Sequence, residues 1–148
     1  MSIESAQGFT IRDVAWAQEA RKLRAVRVAV FVVEQNIPEE LEWDEHDEVS
    51  AHALAEDRDG VPIGCGRLLP DGHIGRLAVL SDWRGQGVGA KLLVHLVELA
   101  RLRGHARVLL NAQEHAMPFY ARYGFAPSGA PFIEAGIPHQ EMARLLAP

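Results

Sequence analysis

Residues 84–93 read RGQGVGAKLL. Three glycines fall within five residues, an arginine precedes them, and an apolar run follows. The run continues as VGAKLLVHLVELARLR, apolar almost all round. Its polar positions, Lys91, His95, Glu98 and Arg101, are spaced 4, 3 and 3 apart, which is one narrow polar stripe on a buried helix. Gly104 can end that helix. The stretch before it, HIGRLAVL (73–80), reads as a strand, and HARVLLNA (105–112) reads as another. Strand, glycine loop, helix and strand make a βαβ unit. The loop therefore opens a helix, where free N–H groups and the positive end of the helix dipole face outward. Glycine lets an anion approach that backbone closely, so the physical reading is a phosphate or pyrophosphate site.

Outward from this unit, GFTIRDV (8–14) reads as a strand, and residues 15–35 carry helical spacing that ends near Val33. Residues 36–50 form an acidic loop starting around Pro38. It carries Glu39, Glu40, Glu42, Asp44, Glu45, Asp47 and Glu48, read as a solvated rim or as a field that gathers a cationic amine. SAHALAED (50–57), the turn DRDG and VPIGCGRLL (61–69) make a hairpin. EHAMPFYARY (114–123) is a short helix closed by Gly124, and the loop-rich tail ends in a strand, HQEMARLLA (139–147). The sheet is thus mixed.

The 148 residues suit one domain with a sizeable core. A net charge of −5 argues against nucleic acid, whose phosphates ask for a basic face. The single cysteine, Cys65, allows no intrachain disulfide and reads as a buried small hydrophobe. No stretch approaches the ~20 apolar residues of a membrane span, and no signal peptide is visible, so a cytoplasmic protein is expected. DEHD in the acidic loop lacks the spacing of a closed ligand set, so no metal is expected.

Three phosphate-binding patterns compete for the loop. The P-loop pattern fails because Ala90 stands at its second glycine and Leu92 at its hydroxyl position. The dinucleotide pattern fits Gly85, Gly87 and Ala90, but the next strand ends in Asn111 instead of an acid. Too little chain follows for the rest of a doubly wound sheet. The pattern R/Q-x-x-G-x-G/A fits Arg84, Gly87 and Gly89 in register.

That third pattern resembles the pyrophosphate loop of the GNAT superfamily of acyl-CoA-dependent N-acetyltransferases. GRLAVL, DWRGQGVG, VLLNAQ and FYARYGF sit where that superfamily places its second half, and VFVVEQNIPEELEWDEHD and EAGIPHQEM resemble its ElaA-like branch. The resemblance covers nearly the whole chain. It implies a mixed α/β (α+β) GNAT fold spanning 1–148 as a single domain. Its central sheet would be mostly antiparallel, with six to seven strands splayed between the two strands flanking the glycine-loop helix, and helices on both faces.

The resemblance also implies roles. The diphosphate of acetyl-CoA, the cosubstrate, would lie on the amides of Arg84, Gly85, Gln86, Gly87, Val88, Gly89 and Ala90. The pantetheine arm would pair with the backbone of Leu77, Ala78 and Val79, with Asn111 across the splay. The N–H of Val79 would hold the oxyanion. Tyr120 would protonate the leaving thiolate. A base is needed because a lysine-like amine is mostly protonated at pH 7; His73 and Glu34 are the candidates. Glu34 and His139 would line the acceptor pocket. The expected activity is acetyl transfer to a primary amine of a small molecule or peptide, by direct attack through a tetrahedral intermediate. The alternative is a catalytically silent CoA-binding module. A homodimer is the assembly the resemblance allows.

Overall fold

The computed structural model describes residues 3–4 and 8–147. Its strands are β1 (Ile3–Glu4), β2 (Phe9–Val14), β3 (Ala51–Asp57), β4 (Pro62–Leu68), β5 (His73–Val79), β6 (Arg107–Gln113), β7 (Ala126–Pro127), β8 (Phe132–Glu134) and β9 (Ile137–Leu145). They form one sheet in the order β1-β2-β3-β4-β5-β6-β9-β7, with β8 also on β9. Six strands of six residues or more carry it; the short β1, β7 and β8 trim its flanks. Every pairing is antiparallel except β5 with β6. This is the expected mixed, mostly antiparallel sheet. The tail strand begins two residues earlier than its sequence suggests. β7 and β8 are too short for a periodic signal.

Helices α1 (Trp16–Arg27), α2 (Val88–Leu102) and α3 (Met117–Arg122) complete the chain. α2 buries Leu92, Leu93, Leu96, Val97 and Ala100 in a core with Phe9, Ile63, Leu68, Ile74, Val108, Leu110 and Met142. The other face of the sheet holds a smaller core of Trp16, Leu23, Val26 and Val30 against Leu54, Cys65 and Ala78. Two glycines of β4 explain how α2 comes so close. A Cβ on Gly66 would stand 2.6 Å from Leu96 Cδ1, and one on Gly64 3.0 Å from both Leu92 and Val88. Between them Cys65 points to the α1 face, where burial pushes its thiol up to about 12. A thiol so placed is inert packing.

Helix α1 runs on as a π-helical segment, Val28–Glu34, capped by a bond from Gln35 N–H to Val30 O of 3.1 Å. The helix thus ends where the spacing predicts, but its last turns are widened. VAVFVV crowds β-branched side chains against the preceding turn, which favours loosening. Asn36 follows in the left-handed region at φ 59°. This widened end aims Glu34 and Gln35 across the sheet.

The acidic loop is not the solvated rim its composition suggests. Glu42 and Asp47 are buried, and three arginines neutralise the cluster. Arg27 binds Glu42 at 2.8 Å and Asp47 at 2.7 Å. Arg67 binds Asp44 at 2.8 Å and Asp47 at 2.9 Å. Arg76 reaches Glu42 at 3.0 Å and Asp44 at 3.4 Å. Burial opposes the charge of Asp47, but hydrogen bonds from Arg27 and Arg67 outweigh it and hold the carboxyl low. The rings of Trp16 and Trp43 lie 5.4 and 4.9 Å from the Arg27 guanidinium. His52 belongs to the same cluster, donating from Nε2 to the Asp47 carbonyl at 2.7 Å. Of its seven acids, Glu39, Glu40, Glu45 and Glu48 remain exposed, so negative charge stays on the outer rim while the inner carboxylates are paired.

Candidate active site

Strand β5 carries the decisive irregularity. Its pairing with β4 runs Leu68↔Ile74 and Arg67↔Gly75, then Cys65↔Ala78 and Gly64↔Val79, so β5 has one extra residue. Arg76 sits in this bulge at φ 51°. The extra residue exchanges the strand's faces: Ile74 joins the core under α2, and Ala78 joins the core under α1. The bulge also sends the Arg76 side chain into the ionic cluster.

Across the other edge, β5 pairs with β6 only at His73↔Leu109 and Ile74↔Leu110. Beyond Ile74 the two strands part. Leu80 N–H bonds Ile63 O at 2.9 Å, toward β4. By alternation Leu77 and Val79 turn their backbone groups into the splay, and Ala78 turns its own toward β4. Of the three backbone positions expected along the arm, Ala78 is therefore the one facing away. Val79 O accepts the Arg84 Nε–H at 3.0 Å, leaving the Val79 N–H.

The glycine loop lies at the open end of this splay. Gly85 and Gly87 take φ 76° and 89°, and a Cβ on either would meet nothing within 4 Å. α2 starts after Gly87 with no side-chain cap, so its first N–H groups are left for a ligand. Gly89 fits beneath Val79 and Phe119, at 3.5 and 3.8 Å from its would-be Cβ. Phe119 stands edge-on to Tyr120 at 5.1 Å. Val79, the start of α2 and α3 thus converge. Burial pushes the half-buried Tyr120 phenol up to about 12, and its hydroxyl makes no hydrogen bond among the described residues.

The base candidates fare differently. His73 stands at the closed end of β5, six residues before Val79, or roughly 15–20 Å at strand rise. Its backbone N–H bonds Asp71 at 3.0 Å, and its Nδ1 lies 2.9 Å from the same carboxylate. That corrects the expectation of a base near the reacting centre: the splay opens only after His73. Glu34 does reach the site, but as half of a fork. Its carboxylate takes Arg84 Nη1 at 2.5 Å and Nη2 at 2.7 Å, which holds its proton affinity below the usual range. A carboxylate so held is a weak base.

The far side of the splay is built on β6 and β9. Burial of Val108, Leu110 and Ala112 under α2 leaves Asn111 and Gln113 on the opposite face. Asn111 pairs in the ladder with Glu141, and Gln113 with His139. Gln113 and Gln35 exchange two amide hydrogen bonds, of 2.8 and 3.2 Å. The π-helical end of α1 therefore spans the splay, tied through Glu34 to the β5 side and through Gln35 to the β6 side. His139 stacks on Phe132 at 5.6 Å, and its Nδ1 lies 2.7 Å from Ile137 O. Gln35 and Gln113 gave no periodic signal. For the ionic cluster the one signal that could have served is that Arg67 and Arg76 each stand alone in an apolar strand, where an arginine asks for a buried acid.

Comparison with known proteins agrees with this geometry. The family described as "Acetyltransferase (GNAT) domain" matches residues 18–146. The chain belongs to the GNAT acetyltransferase family. It is 40% identical over 123 residues to the uncharacterised N-acetyltransferase YjcF of Bacillus subtilis, covering 80% of this chain and 87% of that one. An acyl-CoA N-acyltransferase from Pseudomonas aeruginosa superimposes with a TM-score of 0.82 at 36% identity, covering 92% and 99%. Escherichia coli ElaA does so with a TM-score of 0.81 at 31% identity, covering 90% and 98%. The expected superfamily and its ElaA-like branch are both borne out, and the chain is an N-acetyltransferase by family, with acyl-CoA as donor and an amine as acceptor. Among the described residues no helix is long and apolar enough to cross a membrane. Among them, too, no group of three or more His, Cys, Asp and Glu could hold a metal ion.

Proposed function

We propose that this GNAT enzyme transfers acetyl from acetyl-CoA to a primary amine of a small molecule or peptide, by direct attack. One observation supports this above the rest: an uncapped glycine cradle lies at the open end of a splay whose β5 edge offers the free N–H of Val79. The diphosphate takes the loop amides of Gly85 to Ala90, where no side chain intrudes. Arg84 braces the loop instead: its backbone N–H bonds Ser81 O at 3.2 Å, and three side-chain donors are committed to Glu34 and Val79. The pantetheine arm runs along Leu77 and Val79, with Asn111 opposite. The Val79 N–H donates to the carbonyl oxygen as it becomes an oxyanion. Tyr120 donates to the sulfur as the C–S bond breaks. A phenol near 12 gives up its proton reluctantly, so its main effect is the hydrogen bond it makes as charge develops. Direct transfer needs no protein nucleophile, in keeping with the inert Cys65.

Thermal melting with acetyl-CoA, CoA and NAD tests the cradle. A ligand at 100 times its Kd adds about 2.7 kcal/mol, or roughly 5–10 °C for a chain of this size. Both CoA forms should shift the midpoint and NAD should not. No shift with CoA would remove the reading of the loop.

A further inference from the structure

We infer that His139 is the general base of this transfer, a role that rests on the acetyltransferase reading above. The ring is fixed on three sides. Phe132 stacks on it with only 20° between the planes. Its Nδ1 lies 2.7 Å from the Ile137 carbonyl oxygen, an atom that can only accept. Nδ1 therefore carries the proton, and in the neutral ring Nε2 carries the lone pair. The nearest charged atom to Nε2 is a Glu134 oxygen at 3.9 Å, beyond hydrogen-bond reach. The side chain is only 10% exposed, and Nε2 keeps an opening to solvent.

Its position is right for the chemistry. Four rungs beyond His73↔Leu109, allowing one residue for the bulge, bring Gln113 level with Ala78, beside the Val79 N–H. His139 is paired with Gln113. It thus stands at the height of the oxyanion donor, one strand over from the splay and on its acceptor face. The paired amides of Gln35 and Gln113 border the space between, and amides do not compete for a proton at neutral pH.

The step balances. The amine nitrogen attacks the thioester carbon, and an N–C bond forms while its N–H proton passes to Nε2, directly or through one water. The C–S bond then breaks, and the thiolate takes a proton from Tyr120 or solvent. The imidazolium releases its proton to water. The groups that face His139 are Glu134 from β8, Glu141 from its own strand and the amides of Gln113 and Gln35, and the turn after β6 adds exposed Glu114 and His115.

The test compares the full chain with its His139→Gln variant, following thiol release from acetyl-CoA with tyramine, spermidine and an Nα-capped lysine. A positioned base contributes roughly 10²–10⁴-fold. His139→Gln should cut kcat/KM at least 100-fold with an accepted amine and erase the acidic limb of its pH profile. The acetyl-CoA melting shift should be unchanged, which shows that the variant folds. A fall of less than threefold, or a surviving limb, overturns the assignment. The tautomer gives a second check that needs no acceptor. Side-chain ¹⁵N spectra of the wild type should show Nδ1–H for His139, and an Nε2–H tautomer would overturn it. A wild type that binds acetyl-CoA but acetylates none of the amines would sink the transferase reading instead, and the base with it.

Discussion

Two regions flank the bulge at Arg76, and they treat polar groups in opposite ways. On one side, Arg27, Arg67 and Arg76 meet Glu42, Asp44 and Asp47 in a closed cluster with three charges of each sign. On the other, β5 leaves β6 with its backbone open, and α2 begins without a cap. The closed cluster pins the acidic loop and the bulged strand. The open splay keeps its donors for a ligand. A buried ion cluster is a costly way to hold a loop, because desolvation consumes most of the Coulombic gain. Here it does a second thing. It holds Arg76 in a left-handed conformation that the residue would not adopt alone, and that conformation turns Val79 toward the splay. The rigid region shapes the receptive one.

The largest effect should come from breaking the closed region. Arg27→Met removes one cation and leaves Glu42 and Asp47 buried with too little positive charge. Breaking a buried pair in this way costs about 3–5 kcal/mol, or roughly 10 °C in melting temperature for a chain of this size. Adding Glu42→Gln should return much of that loss, since Arg67 and Arg76 then face Asp44 and Asp47, two charges of each sign. If Arg27→Met melts within 2 °C of wild type, the cluster is surface decoration and the comparison fails. Next in size is damage to the open region. Gly87→Asp puts a side chain where φ is 89° and a negative charge where the diphosphate should lie. Titration with acetyl-CoA should show a loss of 100-fold or more, about 2.7 kcal/mol. Near-normal affinity would mean that the loop holds no phosphate.

The open region was far more legible in the sequence than the closed one. Arg84, Gly87 and Gly89 are fixed in spacing because backbone geometry is local, and a turn before a helix needs glycine wherever the chain goes afterwards. The π-helical end of α1, by contrast, reads as plain helix, because its apolar spacing hardly differs. The cluster was hidden for another reason. Glu42 and Asp47 look like their exposed neighbours Glu40 and Glu48 until long-range folding sets Arg67 and Arg76 beside them. The same holds for His73. It lies near the glycine loop in sequence, but a strand carries it ~15–20 Å from the place where bonds change. His139 lies 19 residues beyond Tyr120, and sheet pairing brings it to the site.

The smallest effect expected sharpens the comparison most, because Glu34 touches both its terms: charge pairing and the open site. Its fork to Arg84 is a salt bridge with each side chain 43% exposed, so solvent screens it and it contributes about 0–1 kcal/mol. Arg84 holds its carboxyl below the usual range, so whatever stability the pair adds is present above about pH 4.3 and is lost as pH falls. Glu34→Gln should therefore melt within roughly 2–4 °C of wild type at pH 7, with that difference fading in acid. The glutamine oxygen can still accept from Arg84, and Arg84 Nε can still hold Val79 O. Turnover should fall less than tenfold, and the pH profile should keep its limb, because the carboxylate orients the loop arginine and takes no proton from the amine. A 100-fold fall with loss of the limb would make Glu34 the base and return His139 to the wall of the acceptor pocket. The two variants thus divide the question between them: at most one of them can remove the limb as the principal base.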